Sequence, residues 1–213
     1  MRPARRRGAV YVAAFVVASS VMLAVGAAEP SEIEDGVLDW IRLAGDAPAT
    51  DATVVVKPFD ASGADLGTGE EGGKPKRVEV ARKFQEDGPA ILADSMIASI
   101  RELGPFATVR LDDGGPAPDG AIVVEGTFTR LNPGSRTKRY WAGFGAGKGV
   151  IAIAGTIRDA EGTVLAEFRQ RRLAVMGVFG GDYESKMRAD LDHLGKDIAK
   201  FLSRWTTGKK LTD

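Results

Sequence analysis

Two alternating segments joined by a short turn constrain this chain more than any other feature. Val150 to Arg158 and Thr163 to Leu173 flank Asp159-Ala160-Glu161-Gly162, and the glycine makes a positive φ available for a tight reversal. In the second arm Val164, Ala166 and Phe168 fall on one side, while Leu165, Glu167, Arg169 and Arg171 fall on the other, because successive strand residues point to opposite faces. One face of this hairpin packs and the other is charged.

Further elements gather around it. Thr53-Val54-Val55-Val56-Lys57-Pro58-Phe59-Asp60 is a β-branched run closed by a proline that cannot donate to a ladder. Ala61 to Gly73, rich in Gly, Asp and Glu, reads as a mobile surface loop. The spacing of Leu92, Met96, Ile100 and Leu103 predicts a helix from about Pro89 to Leu103, stopped by Gly104 and Pro105. Phe106, Thr108, Val109 and Leu111 follow as a short strand, and strand, helix, strand implies a parallel pair. Ala121 to Leu131 alternates, with Ile122, Val124, Gly126 and Phe128 on one side and Val123, Glu125, Thr127 and Thr129 on the other. A last helix carries Met187, Leu191, Leu194, Ile198, Phe201, Leu202 and Trp205 at intervals of three and four. The expected fold is α+β: one mixed sheet of about five strands with two principal helices on one face.

Residues 1–28 have the layout of a secretion signal. Arg2, Arg5, Arg6 and Arg7 precede an uncharged run from Gly8 to Ala28 that ends in small residues. The run is also long enough for an uncleaved anchor. Residues 29–50 read as a lead segment in which Ile33, Val37, Ile41 and Trp40 line one side of a short helix. A single α/β domain over 51–206 and a tail over 207–213 complete the division. With no cysteine in the chain, thiol nucleophiles, disulfides and thiolate metal sites are excluded. Removing the signal takes four arginines from a chain of 29 basic and 29 acidic residues, so the mature protein is mildly acidic.

No motif in the chain matches a known catalytic, nucleotide or metal constellation. Arg139-Tyr140-Trp141-Ala142-Gly143-Phe144-Gly145-Ala146-Gly147-Lys148 resembles a phosphate loop only at a glance. Ala142 stands where a P-loop needs its first glycine, Gly149 where it needs a hydroxyl, and a strand follows in place of a helix. His193 is the one histidine, which rules out multi-histidine metal sites and histidine triads, and it reads as a solvated helix residue. Asp112, Asp113 and Asp119 depart from calcium-loop spacing and read as turn residues. No cofactor or metal is expected.

Charge distribution says more. Residues 29–71 hold eleven acids and two bases, whereas 130–172 hold three acids and nine bases. Arg130, Arg136, Lys138, Arg139, Lys148, Arg169, Arg171 and Arg172 are expected near one end and one face of the hairpin sheet. Arg136, Lys138, Arg139, Tyr140, Trp141 and Phe144 are the candidate contact residues, since aromatics mixed with arginine mark interfaces. An envelope protein, anionic lipid or cell-wall polymer are the partners such a patch fits; nucleic acid is not expected outside the cytoplasm.

Gly126-Thr-Phe-Thr-Arg130, Gly134-Ser-Arg136-Thr-Lys-Arg139-Tyr-Trp-Ala-Gly143-Phe-Gly145-Ala-Gly147 and the arm ending Ala166-Glu-Phe-Arg169 together resemble the bacterial domain of unknown function numbered 4410. The similarity runs roughly from Thr53 to Leu202. It implies an exported envelope protein, often a lipoprotein, with no established activity, catalytic residue or cofactor. This chain lacks the cysteine that lipid modification requires. The expectation is a non-enzymatic accessory or binding protein of the periplasm or envelope. A carboxylate-dependent periplasmic hydrolase and a membrane-tethered oligomeric subunit are the alternatives.

Overall fold

The computed structural model describes residues 31–67, 75–132, 149–174 and 183–212. Among them are seven strands in one mixed sheet: β1 (Ser31–Glu34), β2 (Trp40–Leu43), β3 (Thr53–Val56), β4 (Thr108–Leu111), β5 (Ile122–Asn132), β6 (Gly149–Asp159) and β7 (Val164–Ala174). Their order across the sheet is β1-β2-β7-β6-β5-β3-β4. Two helices, α1 (Pro75–Leu103) and α2 (Tyr183–Thr206), pack on one face. Among the described residues no helix is long and apolar enough to cross a membrane.

The β6–β7 hairpin forms, with Ala166 and Phe168 inward as the alternation predicts, but a register shift between Ile157 and Arg158 sets Val164 opposite Arg158 and packs Leu165, expected outward, against the core. Asp159 closes the turn by donating its N–H to the Thr163 carbonyl at 3.0 Å and accepting the Thr163 N–H on its carboxylate at 2.7 Å, with Gly162 at φ +88°. β3 pairs in parallel with β4 and with β5, and α1 bridges the first pair. The sheet has seven strands rather than about five because the lead segment is not helical. Ser31–Glu34 and Trp40–Leu43 form an antiparallel hairpin whose second strand pairs with β7, Trp40 opposite Arg169 and Leu43 opposite Ala166. Asp35, at φ +49°, and Gly36 turn the chain between them. Val37, Leu38 and Ile41 join the core.

Two further expectations are corrected. α1 begins at Pro75, fourteen residues before the proline at which a helix was expected, and carries Pro89 in its interior. Proline disfavours helical backbone at the residue before it, and here that residue is the permissive Gly88. Phe84 and Ala81 are buried one and two turns N-terminal to it, so packing holds the helix through the break. The segment after β3 is tied down as far as Asp65: Asp60 exchanges backbone hydrogen bonds with Gly126 and Phe128, and Asp65 with Thr129 and Leu131.

β5 shifts register once, between Phe128 and Arg130. An uninterrupted alternation would turn Arg130 inward. The extra residue, Thr129, returns Leu131 to the core and leaves Arg130 exposed. The core centres on rings: Phe59 with Phe128 and with Phe168 (centroids 6.4 Å apart in both pairs), Phe168 with Phe201 at 6.2 Å, and Phe201 stacked on Trp205 at 5.6 Å. Burying each such ring stabilises the fold by roughly 2–3 kcal/mol. α1 and α2 approach closely at Gly195, where a Cβ would lie 2.4 Å from Ser95 Oγ. Ser95 Oγ donates to the Asp192 carbonyl across that contact.

Candidate functional site

The face of the sheet away from the helices takes its relief from β6. Along its middle β6 presents Ala152, Ala154 and Thr156 there, all half-buried, between longer side chains on its neighbours. The register aligns three rows across the strands. Arg130, Ala152 and Arg171 form one, Thr127, Ala154, Arg169 and Trp40 the next, and Glu125, Thr156, Glu167 and Arg42 the third. A low central strand between tall flanks makes an open trough of about 470 Å³, lined by Trp40, Lys57, Asp60, Glu125, Thr156 and Arg169 among others.

Charges along the trough are answered locally. Arg42 Nη1 meets Glu167 Oε2 at 2.8 Å, and Arg130 Nε meets Asp65 Oδ2 at 3.0 Å. Arg169 lies over the Trp40 ring with its guanidinium carbon 4.7 Å from the centroid, within cation–π range. Glu125 stands between two cations, with Arg158 Nε on Oε1 at 2.7 Å and Lys57 Nζ on Oε2 at 3.1 Å. The Arg158 hydrogen bond, with Lys57 behind it, holds this carboxyl below the ordinary glutamate range against the opposing effect of burial. Asp60 is likewise lowered, by the Ser62 backbone N–H at 2.8 Å and the Ser62 hydroxyl at 3.0 Å. Both carboxylates are held ionised by donors of this chain.

Because the folded pKa of Glu125 is depressed, the stability it contributes is full above the pKa of the unfolded carboxylate and is lost as pH falls through the folded value. Glu125→Gln is expected to cost about 1 kcal/mol at neutral pH. Its stability should also fall less than the parent's between about pH 5 and pH 3. Urea titrations across that range measure both effects; parallel pH profiles would contradict the assignment.

Two further depressions adjoin. One of about 280 Å³ lies under the loop that follows β4, between Asp112, Lys57, Glu125 and Arg158. Asp112 and Asp113 serve this loop as turn residues, accepting the N–H groups of Gly114 and Gly115. The other, about 590 Å³, opens between β7 and α2. There the Asp39 N–H donates to Gln170 Oε1 at 2.7 Å, and Gln170 Nε2 donates to Asp197 Oδ2 at 3.0 Å. The same oxygen accepts from Arg172 Nη2 at 2.6 Å. His193, on the rim of this cleft, is exposed. Among the described residues no three histidine or carboxylate side chains gather as a metal site.

Arg136, Lys138, Arg139, Tyr140, Trp141, Phe144 and Lys148 lie outside the described residues, in the connection between Asn132 and Gly149. Of the other arginines expected on one face, Arg130, Arg169 and Arg171 share the open side, whereas Arg172 turns towards α2 and Asp197. Adjacent strand residues cannot point the same way. Trp40 and Arg42 were not anticipated in the site. Their signal was present in Trp40-Ile41-Arg42-Leu43, whose alternation has period two, but Ile33, Val37 and Ile41 also fit a helical spacing.

Among solved structures, the PelC dodecamer from Paraburkholderia phytofirmans aligns at 14% identity over 75% of this chain and 96% of its own, with a TM-score of 0.44. A point variant of that dodecamer aligns at 18% identity over 76% and 96%, with a TM-score of 0.40. An uncharacterized protein aligns at 11% over 75% and 94%, with a TM-score of 0.38. No curated protein matches. The family model described as "Domain of unknown function (DUF4410)" matches residues 54–178, from the second residue of β3 to beyond the end of β7, and the chain belongs to that family.

Proposed function

We propose that this protein is a non-enzymatic accessory protein of the cell envelope, exported by its N-terminal segment, that binds a partner protein across the open face of its sheet. The observation that carries the reading is the row Thr127, Ala154, Arg169 and Trp40. It sets a tryptophan and an arginine, the residue types that dominate contact energies, beside a floor of small side chains. The ionised state favoured for Glu125 and Asp60 supports recognition over acid catalysis. Arg136, Lys138, Arg139, Tyr140, Trp141 and Phe144 add cations and aromatics in the connection between the two strands that form the floor and one wall. Export rests on Arg2 to Arg7 and the uncharged run behind them.

The test joins location to contact. Intact mass and cell fraction of the native protein should give a chain beginning near Ala28 or Glu29 in the soluble envelope fraction. A photo-crosslinking residue at Thr127, in living cells, should yield a discrete protein adduct that is lost on Arg169→Glu. A cytoplasmic full-length chain, or an adduct indifferent to Arg169→Glu, would overturn the proposal. A full-length chain in the membrane would make the domain a tethered component and overturn its diffusible form.

A further inference from the structure

We propose that Gln170 and Asp39 are positioning residues that set Trp40 in the trough from the helix-facing side of the sheet. The inference deepens the binding reading above and rests on it only where Trp40 acts as a contact residue. Residues 166, 168 and 170 of β7 share the face that packs against the helices. The first two are Ala166 and Phe168, buried in the core, and the third is a glutamine only 9% exposed. A buried amide costs free energy unless its donor and its acceptor are both met. At Gln170 both are met, on different elements: Oε1 accepts the Asp39 N–H at 2.7 Å, just ahead of β2, and Nε2 donates to Asp197 Oδ2 at 3.0 Å, on α2. Arg172 donates to the same Asp197 oxygen through Nε at 3.1 Å and Nη2 at 2.6 Å, which fixes the carboxylate that the amide uses.

Asp39 is held at three points. Besides its N–H, its Oδ2 accepts the Arg171 N–H at 2.8 Å, and its carbonyl accepts the Asp35 N–H at 3.2 Å. The β2–β7 register runs only as far as Trp40 opposite Arg169, so Asp39 meets Gln170 where backbone pairing has stopped. Side chains take over there. A carboxylate receives the strand N–H of Arg171, and an amide oxygen receives the N–H of Asp39.

Without these bonds Trp40 would be the terminal, fraying residue of a four-residue strand. With pairing carried one step past it, its ring is presented under the Arg169 guanidinium at 4.7 Å. Core packing at position 170 would be served as well by an apolar side chain of similar volume. What the amide adds is a fixed place for Asp39. A hydrogen-bonded network satisfied at each member specifies one arrangement, and this one runs from α2 through the inner face of β7 to the residue beside Trp40.

The test replaces Gln170 by leucine, of similar size, in the full chain labelled with 5-fluorotryptophan. The chain has three tryptophans, and the fluorine resonance lost in Trp40→Phe identifies that of Trp40. In Gln170→Leu this resonance should shift and broaden while that of the buried Trp205 stays. Amide exchange at Asp39 should quicken by about tenfold or more beyond any change at Ile153, in the central strand β6. Asp39→Ala, at an exposed position, should move the Trp40 resonance in the same way, and the double variant little further, because residues in one network are not additive. That variant also tests the pair if Gln170→Leu does not fold. An unchanged Trp40 resonance in the single variants, or equal quickening at Asp39 and Ile153, would overturn the proposal; the second result would leave Gln170 a contributor to general stability alone. The Thr127 crosslink separates this inference from the binding reading. An adduct that falls several-fold in Gln170→Leu supports both. An adduct kept at full yield while the Trp40 resonance moves supports the positioning of Trp40 and removes the contact role from that residue.

Discussion

Replacing Gly155 by valine is expected to lower the stability of the fold by about 3 kcal/mol. Strand propensity alone predicts the opposite sign, because valine favours a pleated strand and glycine weakens one. Packing decides the matter. A Cβ at residue 155 would lie 2.2 Å from Cζ of Phe168 and 2.6 and 2.7 Å from its two Cε atoms. That ring is 1% exposed and cannot retreat, with Phe59 at 6.4 Å on one side and Phe201 at 6.2 Å on another. The residue opposite Gly155 in the register is Gly126, where a Cβ would meet the Phe59 ring at 2.5 Å. Two facing glycines thus form a bare patch on which two phenylalanines lie. Urea unfolding should show the loss as a lower midpoint at an unchanged slope. Phe168→Leu in the valine background should restore part of it, because the smaller side chain makes room. A Gly155→Val protein as stable as the parent would show that the rings can move.

The same pair of glycines shows what a linear reading can reach. Alternation in Ala166 to Phe168 and in Ile122 to Phe128 set the inward and outward faces of β7 and β5, and the turn at Gly162 set their neighbour, so most of the antiparallel part of the sheet was legible; the register shift that packs Leu165 in place of Val164 was not. The parallel pair of β3 and β4 followed from the helix between them. Close contact between Gly155 and Phe168 was not legible, since it depends on two strands meeting at one register. The site divides in the same way. Arg169 and Arg171 were read as outward-facing cations and are so placed. The trough itself was hidden, because it needs Ala152, Ala154 and Thr156 to stand between taller neighbours from β5 and β7. Pro89 misled for a physical reason: proline commonly opens a helix, and only the burial of Phe84 shows that this helix runs through it.

Ile41→Ala carries the second large effect, an expected loss of about 3 kcal/mol. Residue 41 lies in the segment that sequence periodicity assigned to a short amphipathic helix ahead of the domain. A truncation in a loosely attached lead would cost within about 0.5 kcal/mol. In the structure Ile41 is fully buried, opposite Phe168 in the β2–β7 register, and shares the core with Val37 and Leu38. The surface contacts of the same hairpin contribute little by comparison. Arg42 and Glu167 are both more than a third exposed, and exposed pairs are typically worth under about 1 kcal/mol. The hairpin is also gripped from its far end, where the Val37 N–H donates to the Leu211 carbonyl at 2.8 Å and Gly36 bridges Thr212. Leu211 is itself buried. A loss near 3 kcal/mol, with one cooperative transition, would mean that β1, β2 and the tail unfold with the rest of the sheet. The trough would then be a rigid surface, because Trp40 and Arg42 are fixed by the same strand that buries Ile41. A negligible loss would detach that strand from the core and remove Trp40 from the row on which the binding proposal rests.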